Sequence, residues 1–132
     1  MNTDLPPDIP DFEAGPELRA VAMPADTNPS GDIFGGWVLS QMDLAGGVLA
    51  TRVARGRVVT VAVEAMKFHK PIKVGDEVSC YAKVVRIGRT SIAIRIETWA
   101  RRTWTSGHLK VTDGLFTYVA VDSTGRPRPV LP

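Results

Sequence analysis

The chemistry of this chain has to be argued around Asp43. It is the only charged side chain between Ile33 and Thr51, in the run IFGGWVLSQMDLAGGVLAT, where Leu, Met, Val, Ala and Trp fall on every helical face. A helix that is apolar all round is a buried helix, and a carboxylate carried into an apolar interior is costly unless partners satisfy it. A structural aspartate bonded to backbone or to a neighbouring side chain meets that condition. A catalytic one meets it too, since a carboxylate held at a cleft serves as general base or nucleophile. The residues alone leave both readings open.

Other groups with chemical potential lie before and after this run. Gly35 and Gly36 fall where a helix begins, so their N–H groups suit an anion or a developing oxyanion; close packing against a neighbour explains a glycine pair equally well. Asn28, next to Pro29 in the preceding loop, offers a second polar group, although turn chemistry accounts for it without any catalytic role. Gly88-Arg89-Thr90-Ser91 joins a cation and two hydroxyls to a glycine, a composition that suits a phosphate as well as an ordinary hairpin. Lys70, Arg86, Arg101, Arg102 and Lys110 extend the possible phosphate patch. His69 and His108 have no metal-ligand spacing, and neither a Walker loop nor a GxGxxG motif occurs. No metal and no bound cofactor are expected. Cys80, the only cysteine, excludes an intramolecular disulfide and reads as a buried core thiol.

The elements that must position these groups follow from periodicity. Glu17–Met23 reads as a first strand and Pro24–Gly31 as a turn-rich loop. The helix comes next, with Arg52 and Arg55 suited to the negative pole of its dipole and Gly56 as its stop. Strands follow over Arg57–Phe68, Glu77–Ile87, Thr90–Ala100 and Leu109–Asp122. Ile92, Ile94 and Ile96 against Ala93, Arg95 and Glu97 give the clearest alternation; Gly114 weakens the last strand. This is an α+β layout, one long buried helix wrapped by an antiparallel β-sheet of about five strands. The sheet covers one side of the helix, so a second copy is expected on the other.

Composition bounds the class. The 132 residues make one domain, 44% hydrophobic and 23% charged. Residues 1–16 carry four acidic and no basic side chains and read as a disordered, proline-rich arm. Against an overall charge of +2 this leaves +6 on the remainder, which suits a polyanionic ligand such as a nucleotide phosphate, or nucleic acid, and equally a solvated basic surface. The single domain spans 17–122, and the tail 123–132 looks too rich in proline to pack regularly. Gln41, Asp43 and four glycines argue against a membrane span at the helix, and the start of the chain lacks a secretory pattern, so cytoplasm is expected.

Taken together, PADTNPSGDIFGGWVLSQMDLAGG, VVTVAVEAMKFHKPIKVGDEV, VRIGRTSI and VTDGLFTYVAVD resemble the acyl-CoA thioesterases of the YciA type, in the hotdog-fold superfamily. The resemblance runs from Leu18 to Asp122. It implies a hotdog fold, dimers paired edge to edge with active sites at their interface, and assembly to a tetramer or a hexamer built as a trimer of dimers. It implies acyl-CoA as the partner, with no nucleic acid and no membrane. Catalysis would fall to Asp43, with Asn28 and the Gly36 N–H. Contacts to substrate or CoA would fall to Gly35, Thr60, His69, Lys70, Gly88, Arg89, Thr90 and Ser91. The reaction expected is hydrolysis of an acyl-CoA to a carboxylic acid and free CoA, with Asp43 acting as base or, through an anhydride, as nucleophile. A non-catalytic hotdog module that binds acyl-CoA is the alternative; a hydratase, for which neither histidine is on the helix, is disfavoured.

Overall fold

The computed structural model describes residues 15–105 and 107–132. The acidic arm lies outside the described residues except for its last two positions. Five strands, β1 (Leu18–Val21), β2 (Val58–Phe68), β3 (Glu77–Ile87), β4 (Ser91–Arg101) and β5 (His108–Ala120), form one antiparallel sheet in the order β1-β3-β4-β5-β2. The helix α1 (Gly35–Ala54) packs on one face of it. A short 3-10 turn, Pro24–Asp26, precedes the helix. The layout matches the expected one, and strand limits differ from those read in the sequence by two residues or fewer.

The core lies where the alternation puts it. Ile92, Ile94 and Ile96 of β4 are fully buried with Val78 and Cys80 of β3, Phe116 and Tyr118 of β5, and Met42, Ala45 and Ala50 of α1. Burial holds the Cys80 thiol up at about 11, against a slight lowering by its contact with Thr98, so it is an inert core group. Gly114 does not weaken β5 as its composition suggests. A Cβ there would lie 2.5 Å from Met66 Sδ, so the glycine is the recess into which β2 packs its methionine.

The helix differs from the all-round burial that its composition implies. Within one chain Leu44 and Val48 are about half exposed, and Leu39 is also uncovered. On the neighbouring sheet edge, β2 has Val59, Val61 and Val63 exposed, with no strand beyond it among the described residues. A long apolar edge of this kind templates pairing with another strand. The apolar stretch was read correctly, but one protomer covers only part of it.

The helix starts at Gly35, at the glycine pair expected to begin it, and ends at Ala54, just before the expected stop. The stop is Arg55, which takes the left-handed conformation (φ 53°), not Gly56. Gly56 is needed for a different reason: a Cβ would lie 2.5 Å from the Arg128 guanidinium, which donates to the Ala54 carbonyl at 2.8 Å. Arg52 turns away from the helix end and pairs with Glu17 at 2.7 Å. The tail is therefore ordered despite its prolines. Val121 bridges Pro127, the Val130 N–H donates to the Arg89 carbonyl at 2.9 Å, and the Val130 side chain is buried. Arg128 supplies the donors that the prolines lack, and this offsets their cost.

Candidate active site

Two strands and the helix converge on Asp43. Thr60 on β2 and Tyr118 on β5 are direct cross-strand partners, so their side chains share the face that meets the helix. The Thr60 hydroxyl donates to Asp43 Oδ1 at 2.7 Å. The Tyr118 phenol donates to the same oxygen at 3.1 Å and to the Asp43 backbone carbonyl at 3.0 Å. The register of β2 against β5 slips just after Thr60, making Val61 the extra residue of a β-bulge, a device that re-aims side chains beside sites. Burial first, and then the Asp43 carboxylate, raise the Tyr118 phenol far above its ordinary value, which keeps it protonated as a donor.

The second oxygen of Asp43 is different. Among the described residues no partner reaches Oδ2 and no buried side-chain oxygen lacks a partner, so Oδ2 opens to solvent. Asp43 lines a cavity of about 490 Å³ with Leu44, Gly47, Val48, Thr51, Val58, Thr60 and Tyr118. A carboxylate with one oxygen fixed and one free can take a proton from water or attack an electrophile.

The helix start forms a separate locus. The N–H groups of Gly35 and Gly36 have no acceptor among the described residues; the first turn bonds begin with Trp37 and Val38, both donating to Phe34. Close packing does not explain the pair. A Cβ at Gly36 would meet open space, and one at Gly35 only ordinary contact with the Phe68 ring. Gly35, His69 and Lys70 line a cavity of about 280 Å³ with Phe68 and Ile72. His69 lies 3.7 Å from Asp113, whose carboxyl burial pushes up but Lys110, Arg95 and His69 together hold below its ordinary value.

Asn28 serves its own loop. Its side-chain oxygen accepts from the Ser30 and Asp32 N–H groups at 2.9 and 3.1 Å. This is the turn chemistry foreseen, and it leaves the side-chain NH2 without a partner among the described residues. Gly88, Arg89, Thr90 and Ser91 form the β3–β4 turn, closed by Gly88 N–H to the Ser91 carbonyl at 2.8 Å. That turn sits at the end of the sheet opposite His69 and Lys70: Ser91 pairs with Val119, whereas Phe68 pairs with Thr112. At about 3.3 Å per residue the two groups are separated by more than 20 Å within a protomer.

Gly36 and Asp43 do not converge either. Seven residues of helix rise about 10 Å, and helical N–H groups point toward the N-terminus, away from Asp43. The structure thus gathers Asp43 with Thr60, and Gly35 with His69 and Lys70, but it leaves these loci apart. Tyr118 is a residue the sequence reading did not single out. Its signal was a tyrosine at a core-facing strand position, where a buried hydroxyl requires a polar partner.

A sequence model of the Thioesterase superfamily matches residues 30–103. The chain belongs to this family. It is 55% identical over 116 residues to the acyl-CoA thioester hydrolase YciA of Salmonella typhimurium, covering 86% of this chain and 87% of that protein. Among solved structures, the hexameric thioesterase y2039 from Yersinia pestis aligns with a TM-score of 0.86 at 50% identity, over 92% of this chain and 97% of that one. The thioesterase HI0827, a hexameric broad specificity acyl-coenzyme A thioesterase crystallised as an aspartate-to-alanine mutant, aligns at 0.84 and 52% identity, over 87% and 85%. The thioesterase fold expected from the resemblance, one helix against a five-stranded antiparallel sheet, is the fold observed. Among the described residues no helix is long and apolar enough to cross a membrane, and no group of three or more His, Cys, Asp or Glu side chains is placed to hold a metal.

Proposed function

We propose that this thioesterase hydrolyses acyl-CoA, with Asp43 of one subunit and the helix start of another acting on the same thioester. The thioester hydrolase activity follows from the family. The assignment to Asp43 rests chiefly on one observation, the free Oδ2 of a carboxylate whose other oxygen is held by Thr60 and Tyr118. A purely structural aspartate has no need of an unused oxygen at a cavity. The crystallised aspartate-to-alanine mutant of HI0827 supports the same reading.

Asp43 Oδ2 takes the proton of a water that attacks the thioester carbon; the carbonyl oxygen becomes an oxyanion, and the tetrahedral species collapses with loss of the CoA thiolate. Unpartnered N–H groups at Gly36 and Gly35 stabilise that oxyanion, an effect worth roughly 3–4 kcal/mol per donor in known sites. They point away from the Asp43 of their own helix, so the two halves meet only across a subunit interface. The half-exposed Leu44 and Val48 and the uncovered β2 edge supply the apolar surface for that interface. The hexameric relatives make a hexamer the expected assembly. The free NH2 of Asn28 is placed on the loop leading to α1 and would orient water or thioester. His69 and Lys70, beside Gly35, and the Gly88–Ser91 turn of a different subunit are candidates for the CoA arm. Their separation within one chain is another reason for a composite site.

The direct test is Asp43→Asn assayed by thiol release from acyl-CoAs of graded length. General-base assistance is worth about 10²–10⁴ in rate, so turnover falls by at least a hundredfold. Turnover within a few-fold of wild type sinks the assignment. Retained acyl-CoA binding with no turnover in the wild type itself would favour a binding module instead.

A further inference from the structure

We infer that Tyr118 is a positioning residue for Asp43, and that Gly46 is the gap through which it acts. The inference rests on Asp43 being the reacting carboxylate. An aspartate on a helix has several side-chain rotamers, and only a fixed one presents Oδ2 to the cavity. Thr60 alone offers a single hydroxyl from an edge strand, where half-exposed valines flank it. Tyr118 comes from β5, inside the sheet, with its ring fully buried and stacked near Phe116. Its phenol bonds both the side chain and the backbone carbonyl of Asp43, and this two-point contact ties the carboxylate to the helix frame.

The helix is shaped to admit it. A Cβ at Gly46 would lie 2.2 Å from the Tyr118 hydroxyl oxygen and 2.6 Å from Ile96 Cδ1. Any other residue would drive the phenol off the helix. Gly46 sits three residues after Asp43, on the turn above the carboxylate, so a residue that favours helix least among non-prolines stands mid-helix for a geometric reason. The phenol takes no part in the bond changes; it fixes where Oδ2 sits.

The test is Tyr118→Phe in the full chain, assayed on butyryl-CoA and octanoyl-CoA, alone and combined with Asp43→Asn. The expected result is a ten- to hundredfold fall in kcat with KM within about threefold, because the substitution misplaces Oδ2 without touching substrate. Added to Asp43→Asn, it lowers the residual rate by less than about twofold, because there is no carboxylate left to position. Gly46→Ala, which keeps the phenol but displaces it, should reproduce the kcat loss; circular dichroism at the assay temperature establishes that each variant is folded. A kcat within twofold of wild type for Tyr118→Phe overturns the inference. An equal fractional loss in both backgrounds also overturns it, since that is the mark of a general structural effect. If Asp43→Asn itself turns over like wild type, the underlying reading fails first, and the inference fails with it.

Discussion

The middle and the start of α1 are built in opposite ways. At the middle, Asp43 is held by two hydroxyls from two strands, and Gly46 is cut away so that one of them can reach. At the start, Gly35 and Gly36 have open N–H groups and room to spare. The middle is satisfied on one side and free at a single atom; the start leaves two successive N–H groups without an acceptor among the described residues. Proteins seldom leave polar groups unpaired without compensation, and helix ends are where water or a ligand supplies it. The contrast teaches a division of labour: the middle delivers one oriented oxygen, whereas the start offers a field for whatever negative charge arrives.

Substitutions break this comparison at different points. The largest effect belongs to the middle, where Asp43→Asn removes the base and costs about 10²–10⁴ in kcat, read by thiol release. Next comes Gly36→Pro, which deletes one first-turn N–H at a place where a helix tolerates proline. It should lower kcat by roughly 10²–10³ while leaving the thermal midpoint within a few degrees; unchanged kcat would show that this donor faces no oxyanion. Tyr118→Phe follows, with a smaller kcat loss and a cost in stability, since it removes a buried hydrogen bond worth about 1 kcal/mol. A middle variant thus loses activity and stability together, and a start variant loses activity alone.

The smallest effect is on pH dependence. The folded state raises Tyr118 above its ordinary 10.0, so its stabilisation is complete below pH 10 and is lost as pH rises toward the raised value. Cys80 does the same from 9.0 to about 11. Urea unfolding at pH 9 and pH 11 should show wild type losing more stability than Tyr118→Phe; the Cys80 contribution is common to both and cancels. Equal losses would mean that the phenol is not held as the structure shows.

Much of this was legible in the sequence. Strand positions followed from β-branched alternation, and Asp43 stood out because charge is rare in an apolar run. The open glycine pair and the loop role of Asn28 were legible as alternatives, and only geometry could weigh them. Three things were not. Tyr118 and Phe116 look alike in an alternating strand, because nothing local says that one hydroxyl meets a helix 75 residues away. Gly114 read as a weak point, and Gly46 drew no reading of its own, because the atoms that fill their recesses come from distant chain segments. The tail looked unstructured because proline removes backbone donors, yet Arg128 supplies its own to three carbonyls. Non-local packing decides each of these, and no sequence window contains it.

The central claim is that the start of one helix and the middle of another make one site. The measurement that tests it most directly mixes two inactive variants, Gly36→Pro and Asp43→Asn, by co-expression or by joint refolding. In a mixed dimer with shared sites, one site carries both lesions and the other carries neither. Random pairing makes half the dimers mixed, so activity should return to about a quarter of wild type. If each site lay within a single chain, every site would keep one lesion, and the mixture would stay as inactive as its parents.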